Sequence, residues 1–294
     1  MIKAPRLDLV ENIARQVVRD QQISSLPVCP MAIAASLGIE VQPKPMGEAG
    51  CSGMLIRFGD EFGIIYATHL GNSGYERFSV AHELGHYFLP GHPEHVLQHG
   101  AHQSHAGFAS NDPYEREADF FAASLLMPSG LFRGAAARYA EGLEAILGLA
   151  DECETSLTAA AISYAKHGHA AVAVVLSTGG KVNCCFHSDA MKAGRVGWLR
   201  PGSSIPSNTV TEELAADPSA VAKSKFAAAE VPLSVWFAEA PALIATEEAI
   251  GLATYGKVLT VIHCAKLTAR SEDVEDEEDE EEALIESWTP RFRG

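Results

Sequence analysis

Between Arg77 and Phe88 the chain reads RFSVAHELGHYF, which sets two histidines, His82 and His86, four residues apart in a helical run. With 3.6 residues per turn, both imidazoles leave the same helix face about one turn apart. Val80, Ala81, Leu84 and Phe88 surround them with apolar side chains, so the helix that carries them is expected to be buried. A buried imidazole needs a partner, and a single metal ion can serve two of them at ~2.0–2.1 Å each. A fold for this chain therefore has to close around that helix and bring it a further ligand.

Glu83 stands beside the first histidine, where it can act as a base on water without being a ligand. Together these residues form HExxH, the two-ligands-plus-base arrangement of zinc peptidases. The bland alternative, two histidines on a solvated helix, conflicts with the apolar flanks. A catalytic zinc takes three protein ligands and keeps one position open. Two residues compete for the third place. His92 falls at the last position of the longer HExxHxxGxxH pattern, but Leu89 occupies the place of its glycine. Glu115 opens the next helical segment, DPYEREADFFAASLLMP, with Asp119 one turn further along the same face. Such a pair offers a carboxylate for the metal and an acceptor for the other N–H of a ligand histidine. Glu115 also fits a capping box with Asp112, in which case it would only satisfy backbone.

The rest of the chain sorts by periodicity. Residues 6–20 and 29–37 read as helices. Residues 39–66 read as strands, with a turn near Gly59-Asp60, and Ile64, Ile65 and Tyr66 read either as an edge strand for an extended peptide or as ordinary core. Residues 92–111 form a polar loop with five histidines, of which His95 and His99 have the spacing of a second metal pair. A mobile border to the site is the simpler account of that loop. No tyrosine among Tyr66, Tyr87 and Tyr139, and no loop histidine, stands out as the group that would stabilise an oxyanion. Residues 130–166 are alanine-rich and helical. AAVAVVLS and KVNCCFHS, joined by Gly179-Gly180, predict a hairpin whose adjacent Cys184 and Cys185 face opposite sides.

The net charge of −16 is concentrated: residues 272–282 carry ten acids and no base, which leaves the remainder at −6. A mildly acidic body without a basic stripe excludes direct nucleic-acid binding of the usual kind. The run is expected to be a solvated tail. No stretch approaches the ~18 apolar residues of a membrane span, and the charged start lacks the apolar run of a signal peptide. Six scattered cysteines without a CxxC pair fit reduced thiols, so a cytoplasmic protein is expected.

RFSVAHELGHYFL followed by EREADFFAASLLMP resembles the ImmA/IrrE family of metallopeptidases, and the resemblance extends over about residues 6–130. It implies a gluzincin-like core with His82, His86 and Glu115 as ligands and Glu83 as base. It also implies a protein substrate of the helix-turn-helix repressor class, cut in stress responses or mobile elements. The expected organisation is α+β: a mostly helical zinc-peptidase domain with a small antiparallel sheet over 1–128, a helical linker over 129–168, a mixed α/β, sensor-like domain over 169–267, and the acidic tail over 268–294. Zinc is the default metal, although manganese and iron(II) suit the same N₂O donor set. The opposing class is a non-catalytic regulatory protein whose metal site is structural or sensory.

Overall fold

A computed structural model describes residues 5–44, 52–69, 71–98, 101–104 and 112–267. The acidic run, His99, His105 and Cys51 lie outside the described residues. The first half begins with α1 (Leu7–Asp20) and α2 (Pro30–Ser36), followed by strands β1 (Glu40–Lys44), β2 (Gly53–Phe58) and β3 (Glu61–Ala67). The long helix α3 (Ser73–Phe88), the short α4 (His92–Val96), strand β4 (Ala101–Ser104) and helix α5 (Pro113–Leu126) complete it. Val10, Ala14, Ile33, Leu55, Ile64, Leu84, Phe121 and Leu125 meet in one core, so α1, α2, the sheet, α3 and α5 bury their apolar faces together.

The sheet order is β1-β3-β2-β4. β1 runs parallel to β3, whereas β2 is antiparallel to both β3 and β4. The sheet is therefore mixed, not antiparallel as the sequence suggests. A hairpin signal reveals only neighbours in sequence; the β1–β3 pairing joins strands across β2, and no local pattern encodes it. Ile64, Ile65 and Tyr66 lie on β3, which is flanked on both sides, so of the two readings the edge strand falls and the ordinary core strand stands; among the described residues β1 and β4 are the edges. β4 forms within what reads as a polar loop, because its backbone pairs with β2 although AHQS has little strand propensity of its own.

Helices α6 (Ser129–Ala136), α7 (Leu143–Cys153) and α8 (Leu157–His167) lead to β5 (Val172–Thr178) and β6 (Lys181–His187). After α9 (Asp189–Ala193), α10 (Val210–Ala216) and α11 (Pro218–Ala222) come β7 (Phe226–Pro232), α12 (Leu233–Trp236), β8 (Ile244–Leu252) and β9 (Lys257–His263). The five strands form an antiparallel sheet in the order β6-β5-β9-β8-β7. One face packs on α6–α8 through Val172, Val174, Leu176 and Phe186; the other packs on α9 and α12 through Ala173, Val175, Ile262 and Trp236. Burial on both faces explains why β5 reads as an unbroken apolar run. Cys184 enters the first of these cores and Cys185 the second, so packing accounts for both thiols. Gly179 and Gly180 have φ of 56° and 74°, the two left-handed positions that a tight I′ hairpin needs. Among the described residues, no helix is long and apolar enough to cross a membrane.

Candidate metal centre and active site

Helix α3 starts at Asn72, whose side chain accepts from the Tyr75 amide, and it delivers His82, Glu83 and His86 to the centre of the first core at 1% exposure or less. Helix α5 starts at Asp112, whose carboxylate accepts from the Tyr114 amide, with Pro113 in the first turn. The two helices approach closely at Gly85: a Cβ built there would lie 3.1 Å from Ala118 Cα and 3.2 Å from the Ala118 carbonyl oxygen. Ala118 is one turn beyond Glu115. This contact therefore sets the distance between the histidine pair and the carboxylate.

The ring nitrogens His82 Nε2 and His86 Nε2 are 3.1 Å apart. Glu115 faces both, with Oε1 3.1 Å from His86 Nε2 and Oε2 3.4 Å from His82 Nε2. One donor atom from each of the three residues lies within 4.8 Å of the others. The capping role open to Glu115 in the sequence is not the one it takes, since its carboxylate is directed at histidines. Asp119 Oδ1 lies 2.8 Å from His82 Nδ1, the nitrogen pointing away from the cluster. His92 stands on the far side of His86, with its Nδ1 3.1 Å from His86 Nδ1 and its Nε2 3.0 Å from Glu117 Oε2. It is thus outside the converging three.

The donor set suits a divalent cation. Two imidazoles and a carboxylate converge in a buried space, which like-polarity atoms occupy at a cost unless a positive charge sits between them. The titration tendencies agree. Burial alone would lower the His82 pKa, but the Asp119 and Glu115 carboxylates outweigh it and raise it well above the ordinary imidazole value. Burial pushes His86 down to about 3. Burial would raise Glu115, yet its close contacts with His102, His82 and His86 hold it well below the usual carboxylate range.

Glu83, next to His82 on the same helix, is fully buried. Its Oε1 accepts from Ser104 Oγ at 2.7 Å, while its Oε2 has no hydrogen-bond partner among the described residues. Gly53 makes room for it: a Cβ at that position would stand 2.6 Å from Glu83 Oε1. Burial lifts the Glu83 carboxyl to about 7, against the opposing pull of His82 and the Ser104 hydroxyl. That is a suitable poise for a general base near neutral pH.

β4 supplies two residues to this site, because Ser104 pairs with Gly53 and His102 with Leu55 on one face of the sheet. His102 Nε2 lies 2.8 Å from Glu115 Oε1. Of the five histidines in that stretch, His102 and His92 reach the centre, whereas His95 stacks on Tyr114 with ring centroids 3.9 Å apart. Its expected partner His99 lies outside the described residues. Tyr139 places its hydroxyl 3.2 Å from Glu152, and Tyr87 sets its ring against Phe62. Sequence reasoning missed Glu117, Ser104, Gly53 and Arg6. Glu117 alone carried a signal: it lies between Glu115 and Asp119, too close for the same face, yet the structure buries it to 3% exposure.

No curated protein sequence matches this chain. Among solved structures, a Mycobacterium tuberculosis transcriptional regulator superposes with a TM-score of 0.52 over 87% of this chain and 76% of its own, at 14% identity. That is a likeness of fold, and it reaches across the peptidase-like half into the C-terminal sheet. Residues 34–163, which hold α3, α5 and the histidine–glutamate cluster, match the model of the IrrE N-terminal-like domain, peptidase family M78 of the ImmA/IrrE metallopeptidases, so that this segment of the chain is a domain of that family.

Proposed function

We propose that this protein is a zinc-dependent endopeptidase that cuts a peptide bond in a specific intracellular protein, with a helix-turn-helix transcriptional repressor as the substrate class. The observation that carries the reading is Glu83. It is buried beside the converging His82, His86 and Glu115, it is held by one oxygen, and its other oxygen is free to take a proton. A structural or sensory metal site has no use for a poised base of this kind. The repressor substrate rests on the family, whose better understood members act on such proteins. The resemblance of fold to a transcriptional regulator is compatible with a role in gene control.

His82, His86 and Glu115 would hold the ion. Bound there, zinc would polarise the scissile carbonyl and lower the pKa of the attacking water. Glu83 Oε2 accepts the proton of that water as it attacks, and then returns it to the departing amine. Ser104 keeps the Glu83 carboxylate directed by holding Oε1 at 2.7 Å, so that the proton is exchanged at Oε2. Asp119 accepts from His82 Nδ1 at 2.8 Å and leaves His82 Nε2 as the ligating nitrogen. β4, which brings Ser104 and His102 to the site, is an edge of the sheet among the described residues, and an extended peptide would pair along it by backbone hydrogen bonds.

The test compares cells expressing wild type with cells expressing Glu83→Gln, by profiling new protein N-termini. One or a few new termini, in a DNA-binding repressor, that depend on Glu83 are the expected result. An unchanged biological effect in Glu83→Gln, with no new terminus in wild type, would favour the regulatory protein with a non-catalytic metal.

A further inference from the structure

The second ligand, His86, is oriented by a chain of hydrogen bonds that begins outside the site. Arg6, just before α1, donates from its backbone N–H and its Nε to Glu117 Oε1, both at 2.9 Å, and from Nη2 to Oε2 at 2.6 Å. A carboxylate gripped in this way has only acceptors to offer. His92 Nε2, 3.0 Å from Oε2, must therefore be the donor in that contact. A neutral imidazole with its proton on Nε2 presents a bare Nδ1. His86 Nδ1, 3.1 Å from it, must then donate, which leaves His86 Nε2 bare and turned to His82 and Glu115.

We infer that Arg6, Glu117 and His92 form a positioning relay that fixes the tautomer of His86 and thereby makes its Nε2 a metal ligand. This inference rests on the metal-centre reading above. His82 Nδ1 is served directly by one carboxylate, Asp119, whereas His86 Nδ1 is reached through an intervening histidine, because α4 places His92 beside it. The relay gives His92 a role distinct from ligation, and it couples the N-terminal segment to the metal through residues 111 apart in sequence.

Glu117→Gln tests this without changing the shape of the site. Arg6 claims the amide oxygen, so the amide NH₂ faces His92. His92 must then accept at Nε2 and donate from Nδ1, and His86 is forced to carry its proton on Nε2, where it blocks the ion. The expected result is a 10- to 100-fold loss in zinc affinity by chelator competition. In the metal-free protein, ring ¹⁵N shifts should show His86 passing from the Nδ1–H to the Nε2–H form. Glu117→Ala, which offers no donor, should lose less than Glu117→Gln, a ranking that a merely structural role would reverse. The relay is refuted by a Glu117→Gln protein that binds zinc within about threefold of wild type, or by an unchanged His86 tautomer. A wild type that binds no zinc would overturn the metal reading instead, and the tautomer measurement on the metal-free protein would still decide the relay.

Discussion

Gly85 is where packing and chemistry are most tightly joined, and Gly85→Ala has a calculable outcome. In a helix interior alanine is favoured over glycine by about 1 kcal/mol, so in isolation the change stabilises α3. The new methyl would meet Ala118 Cα at 3.1 Å, the Ala118 carbonyl at 3.2 Å and Phe121 Cδ1 at 3.2 Å. Two of these atoms are backbone of a 14-residue helix, which cannot yield by turning a side chain. Carbon pairs rest at about 3.5–4.0 Å, so α3 and α5 must separate by roughly half an ångström. Overpacking of this kind costs ~1–3 kcal/mol and outweighs the helix gain, for a net loss of up to ~2 kcal/mol. The same separation draws Glu115 from the histidines by more than the ~0.2 Å tolerance of a zinc site, so zinc affinity should fall about tenfold or more. Denaturant unfolding of the metal-free protein and chelator competition measure the two effects. Gly134→Ala is the control: it lies on α6 with nothing near its added methyl, so it should gain up to ~1 kcal/mol and leave zinc binding alone. A Gly85→Ala protein that gains stability as Gly134→Ala does, with wild-type zinc affinity, would refute the claim that this contact spaces the ligands.

Other outcomes follow from the same contacts. Glu83→Gln should retain stoichiometric zinc yet lose peptide hydrolysis, as measured by elemental analysis beside a cleavage assay; loss of zinc would place Glu83 among the ligands. Ser104→Ala removes a hydrogen bond that lowers the Glu83 pKa, so the acid limb of the pH–kcat/KM profile should move to higher pH, and an unmoved limb would dismiss the contact. His187, buried on β6, is held down to about 3 by burial. Below its unfolded pKa of about 6.5 the unfolded chain therefore binds a proton that the folded chain refuses, and stability falls with pH. At pH 5 this amounts to about 2 kcal/mol. Relative to pH 7, His187→Leu should lose less stability in urea unfolding at pH 5 than wild type does; equal losses would place the acid sensitivity elsewhere.

Much of the site was legible because its signals are local. The i, i+4 histidines, the glutamate between them and the Asp-Pro opening of α5 are short-range patterns that survive folding intact. The hairpin at Gly179-Gly180 was legible for the same reason. What escaped depends on pairing across the chain. AHQS becomes β4 only because β2 accepts it, and with it His102 and Ser104 enter the site. Arg6 and Glu117 meet over 111 residues. The parallel β1–β3 pairing, which makes the sheet mixed, is likewise invisible to any local window. His92 illustrates the boundary: its spacing marks it as a metal-site residue, but only the position of α4 shows it turned to His86 and Glu117.

Zinc titration into metal-free wild type, Glu115→Ala and His92→Ala tests the central claim most directly. The account predicts a single tight site in wild type that vanishes in Glu115→Ala and persists, with weakened affinity but unchanged stoichiometry, in His92→Ala. A site that survives in Glu115→Ala and disappears in His92→Ala would contradict it, as would a wild type that takes up no zinc.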